Sequence, residues 1–310
     1  MNFSSALVTG GAGFIGSHLT SKLKERNIRT IVLDDLSMGK EENLPSGVDF
    51  IKGDVLDYPL VKELVSKVDV VFHLAARVSI RNSISKFYDD GAINILGTLN
   101  VLRAIAEKRD KKTKIVYASS MAAYGHSVSL PIKEDSTLEP ISPYGISKLA
   151  GERYCLQIAN DCGFKAVALR YFNTYGTRQT LTPYVGVITI FINLLLKNRS
   201  PVIFGDGIQK RDFVYVEDVA EATVLAMEKD VFNQSINVGT GIGTSVNKVA
   251  RILKDKINPD ITLEYGGKQV GEPTNSVADT SKAGELLGFI PSLSLEKNID
   301  EVINWNREDF

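Results

Sequence analysis

The chain has 310 residues, 44% hydrophobic content and a formal net charge of −1 at pH 7. Its length exceeds one small domain, and its composition is that of a globular protein with a sizeable core. Because positive and negative charges are interspersed, there is neither a basic stripe for nucleic acid nor a polybasic face for a membrane. Small molecules are the expected partners.

The first residues of the chain, its longest apolar run and its cysteines indicate the cellular compartment in which we expect the protein. Residues 1–5 lack the basic and apolar regions of a secretory signal. The longest apolar run, residues 185–196, is shorter than the roughly 18 residues of a membrane helix and is predicted to be a buried helix. Cys155 and Cys162 have neither a disulfide nor a zinc spacing, and the three histidines show no ligand spacing. We expect a cytoplasmic protein with reduced thiols and no metal site.

The first predicted elements are a strand, a glycine-rich turn and a helix. The apolar run 6–8 precedes glycines at positions 10, 11, 13 and 16, and residues 14–24 have helical spacing of their apolar side chains. Residues without a Cβ let the backbone approach a pyrophosphate, toward which the helix directs its free N–H groups. This pattern predicts a dinucleotide site, with a plain strand-to-helix turn as the alternative.

The second predicted strand, residues 28–33, ends in two acids, Asp34 and Asp35. Asp34 lies close to the roughly 20-residue offset expected of a carboxylate that binds the adenosine ribose. A carboxylate accepts hydrogen bonds from the ribose hydroxyls but repels a 2′-phosphate. The sequence therefore favours NAD over NADP.

Further along the chain, predicted strands alternate with predicted helices. The strands are residues 48–52, 68–74, 114–118 and 166–171, and the helices are residues 60–65, 92–106 and 144–159. This alternation predicts an α/β fold, namely a Rossmann-type doubly wound parallel sheet that binds ligands at the C-terminal ends of its strands. The alternation breaks after Gly176, which predicts a second, smaller α/β substrate lobe.

Two later segments, residues 213–216 and 235–238, are predicted as strands that return to the sheet, and the glycines at 239–243 as a loop. We therefore expect a cofactor-binding domain of residues 1–176 plus 212–240. The substrate domain would comprise residues 177–211 plus 241–310.

The candidate catalytic residues are Ser120, Tyr144 and Lys148. Tyr144 and Lys148 share a helix face, and Ser120 ends the fifth predicted strand, where ligands bind. Spacing alone is weak, since Tyr58 and Lys62 have it too. Lowering a tyrosine pKa by about three units takes roughly 4 kcal/mol, and an ammonium about 5 Å away supplies roughly 3 kcal/mol. Tyr144 would then remove a proton from a hydroxyl hydrogen-bonded by Ser120, while a hydride leaves the same carbon.

Eight ordered motifs carry a family resemblance. They are residues 10–16, 53–55, 73–76, 94–98, 119–120, 144–148, 170–173 and 211–216. Together they resemble the extended short-chain dehydrogenase/reductases, and within these the nucleotide-sugar 4-epimerases, from the first strand to about Ala283. The resemblance implies a tightly held NAD, a UDP-sugar substrate, and hydride transfer from and back to sugar carbon 4. It also implies pairing of helices 92–106 and 144–159 in a homodimer, although core packing explains the same apolar pattern.

The site residues follow from the motifs and this resemblance. The expected cofactor contacts are Gly10, Gly13, Phe14, Ile15, Asp34, Asp35, Leu36, Ser37, Asp54, Val55, Leu74, Ala75, Ala76, Asn94, Ser119, Tyr144, Lys148 and Tyr171. The expected substrate contacts are Ser120, Tyr144, Asn173, Arg211, Gln269, Glu272 and Ser276. Arg211 resembles the diphosphate-binding arginine of the family, and the alternative for it is a surface salt bridge with Asp212 or Glu217. At Gln269 the family often has an arginine instead.

The sequence is consistent with three hypotheses for the function. Related dehydratases and decarboxylases have an acid shortly after the serine, whereas Met121, Ala122 and Ala123 follow Ser120 here, which favours epimerisation. A 4,6-dehydratase or another nucleotide-sugar oxidoreductase is the alternative, and a non-catalytic NAD-sensing protein is the third. By resemblance, the small Ser276 admits N-acetylated sugars, unless it is a solvent-facing loop residue.

Overall fold

The computed structural model describes residues 3–126, 129–182, 185–267, 275–291 and 295–308. The strands of this part are β1 (Ser5–Thr9), β2 (Arg29–Asp34), β3 (Asp49–Lys52), β4 (Val70–His73), β5 (Lys114–Ser120), β6 (Lys165–Tyr171), β7 (Asn173–Tyr175), β8 (Val202–Phe204), β9 (Lys210–Tyr215), β10 (Gln234–Val238), β11 (Gly243–Ser245) and β12 (Glu264–Gly266).

The α-helices of the same residues are α1 (Phe14–Glu25), α2 (Tyr58–Ser66), α3 (Ile80–Ser85), α4 (Phe87–Gly91), α5 (Thr98–Lys108), α6 (Pro143–Cys162), α7 (Val187–Leu196), α8 (Val216–Glu228), α9 (Val246–Ile257), α10 (Ser281–Leu287) and α11 (Leu295–Glu308). A π-helix (Ala92–Gly97) joins α4 to α5, and 3₁₀ turns cover Glu41–Asn43 and Met121–Ala123. None of the described helices is long and apolar enough to cross a membrane.

A seven-stranded sheet in the order β10-β6-β5-β4-β1-β2-β3 forms the centre of the molecule, and every neighbouring pair is parallel. The six strands β3-β2-β1-β4-β5-β6 have the doubly wound order that binds dinucleotides, with β10 added at the edge. The predicted fold class is confirmed. Because consecutive strands are parallel, their C-terminal ends meet at one edge, where the site lies.

Helices cover both faces of this sheet, which is why its strands are almost continuously apolar. Side chains alternate between two cores: Ala6 and Val8 pack with α1 and α8, whereas Leu7 packs with α2, α5 and α6. A third core is centred on α7, α9 and α11, outside the central sheet.

The prediction that residues 213–216 return to the central sheet is wrong. Strand β9 instead pairs in parallel with β7 and antiparallel with β11, in a separate three-stranded sheet. Its side chains alternate between two cores, with Val214 in the core that contains α1 and α8 and Phe213 and Tyr215 in the third core. A strand buried on both faces is as apolar as a strand of the central sheet. Its hydrophobic pattern therefore indicates burial but does not identify the strands with which it pairs.

The other predictions for the later part of the chain agree with the structure. Residues 235–238 lie in β10 at the edge of the central sheet, residues 239–242 form the connection to β11, and the apolar run 185–196 contains the buried helix α7.

Helix α8 packs on α1, where Glu221 accepts a hydrogen bond from Arg26 (2.5 Å). The division into two domains stays a prediction.

Candidate active site

The glycine turn has the shape that a dinucleotide requires. Gly10 adopts φ +70°, and a Cβ there would lie 2.7 Å from the backbone nitrogen of Ala75. Gly13 caps α1, whose first turn carries no acidic residue, and a Cβ on Gly16 would collide with the carbonyl of Gly10. These glycines are therefore required by close backbone packing, and the turn they form leads directly into a helix N-terminus, which fits the pyrophosphate of NAD.

Asp34 has a structural role that the sequence did not indicate. Its carboxylate is 7% exposed and accepts hydrogen bonds from the backbone N–H groups of Ala12 (3.0 Å) and Leu36 (2.9 Å). Burial raises its pKa, against the lowering effect of these hydrogen bonds. Asp34 thus ties the glycine turn to the loop after β2. The backbone N–H of Gly13 also acts on this carboxylate. Since a carboxylate has about four lone-pair sites, room remains for a ribose hydroxyl.

The remaining expected cofactor contacts line the same edge of the sheet. They are Phe14 and Ile15 at the start of α1, Asp35, Leu36 and Ser37 after β2, Asp54 and Val55 after β3, Leu74, Ala75 and Ala76 after β4, and Ser119 and Tyr171 at the ends of β5 and β6. Three expected contacts have their polar groups bound within the protein. The Tyr171 hydroxyl pairs with Thr223 (2.7 Å), the Ser119 hydroxyl donates to Glu152 (2.6 Å), and the Asn94 amide bonds to the backbone of Arg77.

Ser120 and Tyr144 lie within hydrogen-bonding distance of each other. Ser120 ends β5, and its oxygen accepts a hydrogen bond from the N–H of Ala122 (3.2 Å), which leaves its own proton available for donation. Helix α6 begins at Pro143 with Ser142 as its cap, so Tyr144 lies in the first turn. Burial raises the pKa of Tyr144, while a hydrogen bond with the Ser120 hydroxyl acts to lower it.

Lys148 lies one helical turn beyond Tyr144 and is 4% exposed. Its ammonium sits 4.7 Å from the centre of the Tyr117 ring of β5. Burial lowers the pKa of Lys148 to about 8, although the nearby carboxylates of Asp90 and Glu152 oppose this shift. A buried ammonium one helical turn from a tyrosine acts to favour the phenolate form of that tyrosine.

Glu152, which follows Lys148 by one more turn of α6, is not among the residues expected from the sequence. Its carboxylate is fully buried and binds the guanidinium of Arg170 through two hydrogen bonds (2.6 and 3.0 Å). It also accepts from the hydroxyls of Ser119 (2.6 Å) and Ser235 (2.8 Å). This carboxylate therefore joins α6 to β5, β6 and β10. The available signal was the four-residue repeat of Tyr144, Lys148 and Glu152.

Three expected substrate contacts, far apart in sequence, meet at the small sheet. The amide of Asn173 donates to the Ser276 hydroxyl (3.2 Å), and Ser276 forms a parallel bridge with Arg211. Ser276 is fully buried, so the solvent-facing alternative is wrong. The alternative for Arg211 is a salt bridge with Asp212 or Glu217. The carboxylate of Asp212 instead accepts a hydrogen bond from Thr240, and that of Glu217 is bound to His18 and Lys22. Gln269 and Glu272 lie outside the described residues.

Comparisons with known proteins identify the family of this chain. A family model described as the NAD dependent epimerase/dehydratase family matches residues 6–239. The UDP-glucose 4-epimerase of Thermotoga maritima, solved with UDP-glucose, is 39% identical with a TM-score of 0.94, covering 98% of this chain and 99% of that one.

Two further solved structures are similar along their whole length. The UDP-N-acetylglucosamine 4-epimerase of Methanobrevibacter ruminantium, in complex with UDP-N-acetylmuramic acid, is 35% identical with a TM-score of 0.94, covering 100% of both chains. The UDP-glucose 4-epimerase of Thermus thermophilus, in complex with NAD, is 34% identical with a TM-score of 0.90, covering 99% of this chain and 100% of that one. The chain is therefore a member of the NAD-dependent epimerase/dehydratase family.

Proposed function

We propose that this chain is a UDP-sugar 4-epimerase that interconverts UDP-galactose and UDP-glucose with NAD as its cofactor. The observation that carries the proposal is the convergence of Ser120, Tyr144 and Lys148 at the edge of the sheet that also holds the glycine turn. Bound NAD would supply the hydride acceptor for carbon 4 of the sugar and the hydride for its reduction on the opposite face.

The side chains supply the proton transfer. Tyr144 takes the proton of the 4-hydroxyl as base and later returns it as acid. Ser120 donates a hydrogen bond to the reacting oxygen, since its own oxygen already accepts from Ala122. Lys148 stabilises the Tyr144 phenolate by its charge. All three groups act within one turn of α6 and the end of β5.

The segment after Ser120 supports epimerisation over elimination. Met121, Ala122 and Ala123 form a 3₁₀ turn that carries neither a carboxylate nor an imidazole. Loss of water from a 4-keto sugar needs an acid and a base at the neighbouring carbons. A keto sugar held beside this turn is instead reduced again.

The surroundings of Ser276 support acceptance of the N-acetylated UDP-sugars as well. Its short side chain lies beside Asn173 and Arg211, the proposed contacts of the sugar and the diphosphate. A larger residue there would occupy volume next to Asn173. We assign Ser276 the role of admitting a bulky substituent on carbon 2 of the sugar.

A homodimer in the cytoplasm completes the proposal. Large apolar side chains are exposed on the face built by α4, the π-helix and α6, including Tyr88 (81%), Leu96 (55%) and Ile146 (54%). Exposed apolar patches of this kind mark protein interfaces. A sedimentation equilibrium mass of one chain would contradict the dimer.

The free thiols of Cys155 and Cys162 suit a reducing compartment such as the cytoplasm.

The direct test incubates the purified protein with UDP-galactose or UDP-N-acetylgalactosamine without added NAD and follows the anomeric protons by NMR. We expect the gluco forms to appear, because the cofactor stays bound between turnovers. The Tyr144→Phe variant should retain the fold and lose about 10²- to 10⁴-fold in kcat.

Two results would contradict the proposed function. Formation of a 4-keto-6-deoxy product would show a dehydratase. Wild-type protein that carries NAD but turns over neither UDP-sugar, in an assay where a known epimerase is active, would favour a binding role.

A further inference from the structure

Asp90 is a buried carboxylate to which none of the motifs assigns a role. It lies near the end of α4 and is 2% exposed, whereas its neighbour Asp89 is exposed. Its Oδ1 accepts a long hydrogen bond from the Asn94 amide (3.3 Å). Its Oδ2 is buried and has no hydrogen-bond partner among the described residues. A carboxylate kept in this state costs stability, which calls for a compensating role.

Hydrogen bonds connect Asp90 to the catalytic turn of α6. The Asn94 amide that bonds to Asp90 also donates to the Ser147 hydroxyl (3.0 Å), and that hydroxyl donates to the carbonyl of Tyr144 (3.0 Å). Ser147 is the residue between the first turn of α6 and Lys148. Through Asn94 and Ser147 the carboxylate is therefore connected to the backbone of the turn that carries the two catalytic residues.

The charges around Asp90 make it part of the same electrostatic cluster. Burial raises the pKa of Asp90, and the neighbouring Ser147 hydroxyl and the positive charges of Lys148 and Arg77 oppose this shift. In return, its negative charge acts to raise the pKa of both Tyr144 and Lys148. The other groups that act on Lys148 or face it are Glu152 of the same helix, His73 of β4 and Tyr117 of β5.

Of these groups, two carboxylates act on Lys148. Glu152 is paired in a salt bridge, whereas Asp90 has no salt bridge among the residues that the structure describes. Glu152 is bound to the Arg170 guanidinium by two hydrogen bonds, so its charge is largely neutralised where it lies. His73 is held neutral because burial lowers its pKa to about 3. The negative charge of Asp90 therefore acts to raise the pKa of Lys148 more than that of Glu152 does.

We propose that Asp90 is a positioning residue whose carboxylate is the buried counter-charge of the Tyr144–Lys148 pair. It keeps the Lys148 ammonium charged inside the protein, where that ammonium would otherwise lose its proton. It also keeps the proton on Tyr144 until a substrate hydroxyl and the positive cofactor are in place. This inference rests on the proposed proton transfer by Tyr144.

The test compares Asp90→Asn with the matched control Asp89→Asn, which makes the same chemical change at the exposed neighbour. Because Tyr144 and Lys148 interact, they titrate as a pair with two apparent pKa values. Removing the negative charge should move both limbs of the kcat profile of UDP-galactose epimerisation to lower pH, on the order of one pH unit. Asp89→Asn should leave both limbs in place, and Asp90→Glu should restore them.

A second measurement does not need turnover. Ultraviolet absorbance follows tyrosinate formation, and subtraction of the same titration of Tyr144→Phe isolates Tyr144. In Asp90→Asn its ionisation should occur at lower pH than in the wild type.

Unchanged limbs and an unchanged Tyr144 titration, with a lower melting temperature alone, would show that Asp90 is merely structural and overturn the inference. A wild-type protein without epimerase activity would refute the proposed function instead. The tyrosinate titration would still decide the role of Asp90.

Discussion

Replacing Glu152 with alanine should destabilise the protein strongly, because the substitution leaves a buried cation without its partner. Arg170 is 2% exposed, and two of its hydrogen bonds end on Glu152. The substitution also removes the acceptor of the Ser119 and Ser235 hydroxyls. Although burial acts to raise the pKa of Glu152, the hydrogen bond and charge of Arg170 hold it below its usual value.

The size of the effect follows from this burial. Breaking a buried ion pair by removing one partner costs about 3 to 5 kcal/mol of unfolding free energy. With a urea m-value of about 3 kcal/mol/M, the unfolding midpoint should fall by about 1 to 1.7 M. Replacing both partners at once, in Glu152→Leu/Arg170→Met, should recover most of the loss because no uncompensated charge remains.

Urea unfolding of the three proteins should be followed by circular dichroism and by the fluorescence of Trp305, the single tryptophan, which lies on α11. Coincident transitions allow the free energies to be compared. A loss below about 1 kcal/mol for Glu152→Ala would refute the reasoning. A double variant no more stable than Glu152→Ala would also do so, since the unpaired charge would then not be the cause.

Two further predictions concern the substrate and the response to pH. Ser276→Tyr should abolish turnover of UDP-N-acetylgalactosamine while sparing turnover of UDP-galactose. The control variant Ser276→Ala should turn over both substrates. Equal loss of both activities in NMR assays of Ser276→Tyr would contradict the proposed role of Ser276 in admitting N-acetylated sugars. The hydrogen bond from His18 (2.5 Å) lowers the pKa of Glu217 from 4.5 to about 2, so the ionised carboxylate stabilises the fold above pH 4.5 and this contribution is lost as the pH falls toward 2. Glu217→Gln should therefore lower stability at pH 7 and flatten its decrease between these pH values, and a slope in urea unfolding identical to that of the wild type would contradict this.

Much of the site could be predicted because its signals are local. The glycine turn, Asp34 after the second strand, and the spacing of Tyr144 and Lys148 each depend on backbone geometry within a few residues. Alternation of strands and helices then determined the parallel sheet, whose C-terminal edge collects Ser120 and these residues.

The tertiary structure decided what local patterns do not encode. Hydrophobic periodicity reports that a segment such as β9 is buried but does not specify which strand it pairs with, so its place in the small sheet was not foreseen. Similarly, the meeting of Ser276 with Asn173, and of Glu152 with Arg170, joins residues whose separation in the chain carries no geometric information. Sequence spacing determines contacts within a turn or a helix, whereas contacts between elements depend on how those elements pack.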